Sequence, residues 1–209
     1  MLALYERPWN EKEPVVCLDE KPVVLRGEVR APLPAAPGRV LRRDYEYERR
    51  GTANVFCAVE PKAGRHFTYP TPNRTAAQFA RVVEDLVTHQ YPEAETIHFV
   101  VDNLNIHGPK ALTDTFGEER GRWLWSRLTP HYTPCHASWL NQAEIEISVF
   151  SRQCLGKRRT PDLETLTRVA RAWNHRANHE RWTIDWNFDR QAARKMFAYQ
   201  NREISRSEH

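Results

Sequence analysis

No apolar stretch approaches the length of a membrane span, and the start, Met1-Leu-Ala-Leu-Tyr5, meets Glu6 and Arg7 before the core of an export signal could form. The expectation is a cytosolic protein. Cysteine is scarce as well. Cys17, Cys57, Cys135 and Cys154 are scattered without a Cys-x-x-Cys pair, which argues against a disulfide framework or a thiolate zinc site and predicts reduced, mostly buried thiols. There is no internal repeat and no low-complexity tract. The nearest thing to a linker is Ala31-Pro-Leu-Pro-Ala-Ala-Pro-Gly38, whose prolines exclude regular structure.

What is present fits one ordinary domain with a modest extension. The 209 residues are 40% hydrophobic and 28% charged and include seven Trp, so a substantial core can be buried. A net charge of +4 says little about partners, but its distribution says more. Residues 152–176 carry Arg152, Lys157, Arg158, Arg159, Arg168, Arg171 and Arg176 against Asp162 and Glu164. Such a local excess suits a phosphate backbone, and equally a solvated basic face.

Val15-Val-Cys-Leu18 reads as a short buried strand delivering Asp19 at its tip, with Val23-Val-Leu25 either continuing it or beginning its partner. Ala53–Val59 and Gly64–Tyr69 read as a hairpin. Thr75 is placed to cap a helix whose apolar residues Ala76, Phe79, Val82, Val83, Leu86 and Val87 recur at three and four, ending near Pro92. Ile97–Val101 is a second strand ending in a carboxylate, Asp102. Trp123-Leu-Trp125 with Leu128 points to one more strand, Leu140–Leu155 to a helix, and Thr160-Pro161-Asp162 to the start of another. Strands followed by alternating helix and strand imply an α/β layered sheet.

Asp19, Asp102 and an acid of the 140–155 helix come from three separate elements. Hard divalent cations take oxygen ligands in that way and leave positions for water and a substrate phosphate. Each acid also has a plainer reading. An Asp at a strand end commonly forms a turn, and Asn141-x-x-Glu144 fits a helix-capping arrangement. Periodicity leaves Glu144 and Glu146 as equivalent choices, at opposite edges of the Ala143/Ile147/Phe150 face.

Leu18-Asp19-Glu20-Lys21, Val100-Val-Asp102-Asn103-x-x-x-His107 and Pro134-Cys-His-Ala-Ser-Trp-Leu-Asn141-Gln-Ala-Glu144 resemble, in order, the three signature blocks of the mariner-related bacterial insertion-sequence transposases, the DDE superfamily endonucleases. The similarity runs on through Gly156-Lys-Arg-Arg159, Trp173-Asn174 and Ile184–Phe188. It implies a ribonuclease H-like fold, a mixed five-stranded sheet flanked by helices over 1–160 with a C-terminal helical extension over 161–209. It implies Asp19, Asp102 and Glu144 as catalytic metal ligands for two Mg²⁺ or Mn²⁺ ions, with Asn103 and His107 supporting them. Arg152, Lys157, Arg158 and Arg159 become candidate DNA contacts, and the expected partners are element-end and target DNA and a second copy of the chain. A nucleoid-associated location in the cytoplasm follows.

Such transposases carry helix-turn-helix modules ahead of the catalytic domain, whereas 18 residues precede Asp19. The expectation is a recognition module encoded separately upstream, or a truncated remnant that binds DNA or dimerises without catalysis. A stand-alone nuclease of the same fold is a third reading.

Overall fold

The computed structural model describes residues 1–134 and 136–197. Cys135 and the end of the expected C-terminal extension lie outside the described residues. A central sheet carries β1 (Val15–Glu28), β2 (Tyr47–Glu60), β3 (Arg65–Thr71), β4 (Ile97–Val101) and β5 (Leu128–Tyr132) in the order β3-β2-β1-β4-β5. β1, β2 and β3 are antiparallel neighbours, while β1–β4 and β4–β5 are parallel. The mixed five-stranded sheet is therefore the one expected.

Both faces are covered, which is why Ala53 to Glu60 is buried without alternation. On one face Leu18, Phe56 and Phe99 pack under α2 (Ala76–Asp85), α3 (Pro109–Phe116) and α4 (Glu118–Ser126), against Phe79, Val83, Leu112 and Leu124. On the other, Val55 and Cys57 meet Phe150 of α5 (Ala143–Phe150) and Leu166, Ala170 and Trp173 of α6 (Leu163–Glu180). A smaller cluster joins Cys17, Val59 and Val100 to Ala143 and to Leu4 and Tyr5 of an N-terminal helix, α1 (Leu2–Glu6). Ile184 and Trp186, ahead of the short α7 (Arg190–Met196), close over it. Among the described residues no helix is long and apolar enough to cross a membrane.

The two apolar segments 15–18 and 23–25 prove to be one strand of 14 residues. β4 pairs it only from Val15 to Cys17, so beyond that point the edge facing β4 is open. Pro22, which has no N–H to give, sits in this open stretch, and the edge is met again where the Arg26 N–H donates to the Thr160 carbonyl at 2.8 Å. The gap where β1 and β4 part lies beside Asp19.

Three readings of the sequence need correction. Trp123-Leu-Trp125 is not strand but the end of α4, with the strand beginning at Leu128. Gly121, Leu124 and Leu128 are buried, at spacings of three and four, while Trp123 is exposed, a helical and not an alternating pattern. Gly117, at φ +83°, turns the chain between α3 and α4, and Gly121 lets them touch, since a Cβ there would lie 2.6 Å from the Thr113 Cα. The helix expected to begin at Thr160 begins at Leu163. Asp162 is its cap, accepting from the Thr165 N–H at 2.7 Å, because the Thr160 carbonyl is committed to β1. The 140–155 helix is regular only over Ala143–Phe150, preceded by a tight turn at Ser138–Leu140 and continued by a wide π-helical turn at Ser151–Leu155.

Candidate active site

The parallel register sets the site. Cys17 pairs with Val100, and continuing that register by two residues brings Asp19 abreast of Asp102 where the strands part. Neighbouring strands lie about 4.8 Å apart, and residues in register point to the same face. Alternation turns Asp19 with Cys17 toward α5 and turns Glu20 with Leu18 toward the α2–α4 layer.

α5 is anchored beside Asp19 by Asn141, whose Nδ2 donates to the Leu18 carbonyl at 2.8 Å while its Oδ1 accepts from the Ala143 N–H at 3.1 Å. The Asn141 N–H itself goes to the Ser138 carbonyl at 2.7 Å, so Glu144 does not return to it and the capping-box alternative is not what the chain adopts. Glu144 is exposed. Glu146 is 1% exposed, with both carboxylate oxygens 2.9 Å from Nδ1 of His66. Burial thus separates the two glutamates that periodicity could not, and Glu144 is the one left open.

Burial and the charges of Glu144, Glu20 and Asp102 push the Asp19 carboxyl up to about 7, against the opposing hydrogen bond from the Glu20 N–H. Asp19 therefore feels the charges of both Glu144 and Asp102. Among the described residues no group of three or more His, Cys, Asp or Glu side chains is drawn together closely enough to hold a metal ion, so Asp19, Asp102 and Glu144 stand open and apart. An open set of carboxylates that repel suits a hard divalent cation such as Mg²⁺, which keeps waters and takes a substrate phosphate. A cation there would offset the repulsion that raises Asp19.

The sign of the pH effect follows. A carboxyl whose folded-state value lies above its unfolded one contributes stability that is full below about 4. That stability is lost as pH rises toward about 7. We expect the metal-free protein to lose thermal stability between pH 5 and pH 8 relative to Asp19→Asn, and Mg²⁺ or Mn²⁺ to raise the midpoint more at pH 8 than at pH 6. Equal metal shifts at both pH values, read by differential scanning fluorimetry, would contradict this.

Behind Asp102 stands a buried pair. His107 Nε2 lies 2.7 Å from Glu20 Oε1, and Nδ1 lies 3.2 Å from the Asp102 carbonyl and 2.7 Å from its Oδ1, with the ring against Phe79. Burial alone would lower the His107 pKa, but the hydrogen bond and charge of Glu20, then Asp102, outweigh it and raise it. Asn103 donates to the Thr133 carbonyl at 2.6 Å, tying the loop after β4 to the end of β5.

Of the basic candidates, Arg152, Lys157 and Arg158 are exposed, whereas Arg159 pairs with Glu28 and donates to the Asp44 carbonyl. Sequence reasoning missed Glu20 and the His66–Glu146 pair. Glu20 could have been found by alternation, since it shares the face of Leu18.

A mixed sheet with acids abreast at the parting of its two central parallel strands defines a ribonuclease H-like domain. The family model for DDE superfamily endonuclease matches residues 14–167, and the chain belongs to that family. No curated protein matches. Among solved structures, the Mos1 mariner paired-end complex with Mn superposes with TM-score 0.53 at 19% identity, covering 87% of this chain and 56% of that one. The pre-cleavage Mos1 transpososome gives 0.54 at 17% identity, covering 87% and 57%. The Mos1 transposase paired-end complex with left transposon end gives 0.52 at 17%, covering 82% and 54%. At that identity the likeness is one of fold, and the chain spans about half the length of each of these proteins.

Proposed function

We propose that this chain is the catalytic domain of a DNA transposase, cutting and rejoining phosphodiester bonds at the ends of an insertion sequence with two Mg²⁺ or Mn²⁺ ions. The observation that carries the reading is the register that sets Asp19 beside Asp102 while Asn141 ties the Glu144 helix to the same strand. The matched Mos1 structures, which include paired-end complexes and one with Mn, support it by fold.

Asp19, Asp102 and Glu144 would hold the metal pair, which when bound supplies charge stabilisation of the phosphoryl transition state and activation of the attacking water or 3′ hydroxyl. The protein contributes placement. β1 and β4 fix two carboxylates, α5 brings the third to an exposed position a duplex can reach, and Asn103 with His107 holds the loop behind Asp102. Element-end and target DNA are the substrates, the active assembly is a homodimer in the cytoplasm at the nucleoid, and a separately encoded helix-turn-helix module supplies end recognition.

The test is nicking and strand transfer on duplex DNA carrying element ends, by the chain alone and joined to such a module. Metal-dependent cleavage supports the proposal. A joined protein that binds ends without cutting under Mg²⁺ or Mn²⁺ overturns it in favour of a binding remnant.

The exposed Arg152, Lys157 and Arg158 make a second expectation. Reversing all three charges should weaken duplex binding and lower the slope of log affinity against log salt by up to about three units. Arg159→Glu belongs to another class, because it breaks the contact with Glu28 and should cost stability before affinity. An unchanged slope in the triple variant makes this a solvated surface.

A further inference from the structure

Asp102 does not offer its two oxygens equally. Oδ1 accepts from the Leu104 N–H at 3.1 Å and lies at ion-pair distance, 2.7 Å, from His107 Nδ1, which also meets the Asp102 main-chain carbonyl at 3.2 Å, whereas no hydrogen bond or ion pair among the described residues uses Oδ2. His107 is itself fixed from behind, with Nε2 2.7 Å from Glu20 Oε1 and its side chain fully buried. Its main chain is held too, the His107 carbonyl accepting from the Tyr132 hydroxyl at 2.8 Å.

Glu20 is an odd residue to find there on grounds of stability. It points into the layer of Leu18 and Phe56, its side chain is 1% exposed, and its Oε2 is buried without a partner. A half-satisfied buried carboxylate costs more than an apolar side chain of the same size. Among the described residues its one side-chain hydrogen bond goes to the imidazole beside Asp102. Three groups on three segments, β1, the loop after β4, and the β4 tip, are thus joined through a single ring.

We propose that Glu20, acting through His107, is a positioning residue that holds Asp102 Oδ1 inside the protein so that Oδ2 alone is presented to a divalent cation. The inference rests on the catalytic reading above and adds to it how the second acid is oriented. Partners that orient a ligand set metal affinity as well as geometry, commonly by one to two orders of magnitude.

The experiment measures Mn²⁺ affinity of the full chain by electron paramagnetic resonance, with the metal-free thermal midpoint read alongside. Glu20→Leu and His107→Phe should each weaken Mn²⁺ binding about 10- to 100-fold. Because Glu20 acts only through His107, the double variant should be no weaker than either single one. The double variant also replaces the buried pair by apolar side chains beside Phe79, so it stays folded if the singles do not. Glu20→Gln keeps an acceptor for the imidazole and should bind closer to wild type than Glu20→Leu does. Wild-type Mn²⁺ affinity in a folded double variant overturns the proposal, as does multiplication of the two single effects. Asp19→Asn separates the levels. If it binds Mn²⁺ as the wild type does, the metal reading of the site fails and this inference goes with it. If it loses Mn²⁺ while the Glu20 and His107 variants do not, only the positioning role falls.

Discussion

Asp19→Asn, Asp102→Asn and Glu144→Gln are each expected to reduce Mg²⁺- or Mn²⁺-dependent nicking of duplex DNA by about a thousandfold or more. The magnitude follows from what a metal pair contributes to a phosphoryl transition state. Losing about 4 kcal/mol of it is three decades in rate. Catalytic and merely structural acids are told apart by stability measured on the same variants. Asp19 is held up at about 7 by burial and by the charges of Glu144, Glu20 and Asp102, so a neutral Asn relieves repulsion in the metal-free protein. Its thermal midpoint should hold or rise while cleavage disappears. Asp102→Asn is different in one respect, because it takes a charge away from His107 Nδ1 and should show a modest loss of stability beside the loss of activity. A variant that keeps more than a tenth of wild-type nicking would remove its acid from the catalytic set.

The layered sheet was legible chiefly from β1, β2 and β4, which hold apolar runs ended by a carboxylate, a pattern set by burial on both faces. Asp19 and Asp102 were legible for the same reason, each closing such a run. The adjacency of the two acids was not, since it depends on a parallel register between segments 83 residues apart, and no local pattern encodes that. The boundary errors have local causes. Trp123 and Trp125 suggested strand by composition, but α4 leaves Trp123 exposed and buries Gly121 and Leu124, so tertiary packing overrode β propensity. Thr160 looked like a cap until its carbonyl was claimed by Arg26 of β1. α5 is a case where chemistry outweighed periodicity. Glu146 lies at the edge of an apolar face that would not ordinarily bury it, and is buried because His66 meets it from β3.

That pair gives the other large effect, this time on stability. Glu146 and His66 are 2% and 3% exposed at their side chains, and Nδ1 faces both carboxylate oxygens. His66 Nε2 lies 2.7 Å from the Trp182 carbonyl, which only accepts, so that nitrogen carries its hydrogen. The pair therefore clamps three segments, α5, β3 and the stretch after α6, with Asn178 bracketing His66 at its N–H (2.7 Å) and carbonyl (2.8 Å). Removing one member leaves the other buried and unmatched, a loss of about 3 to 5 kcal/mol. For a chain of this size each kcal/mol is worth roughly 2 to 4 °C, so Glu146→Ala and His66→Ala should each lower the midpoint by roughly 6 to 20 °C. Glu146→Gln should cost less, and its cost should depend on pH in a direction the burial fixes. Burial raises the Glu146 carboxyl above its usual range, the His66 contact opposing in part, so the acid's contribution is full below the ordinary carboxylate range and falls as pH rises through its folded value. The amide, which never ionises, should therefore lose less relative to wild type at pH 8 than at pH 5. Glu146→Leu combined with His66→Phe should recover part of the single losses, with the Trp182 carbonyl still unpaired. Because α5 also carries Glu144, nicking by Glu146→Gln should persist where the protein is folded and fail as it melts, tracking the midpoint and not the metal. A midpoint unmoved in both alanine variants would show that the clamp carries no stability, and would leave α5 held by Asn141 and its apolar face alone.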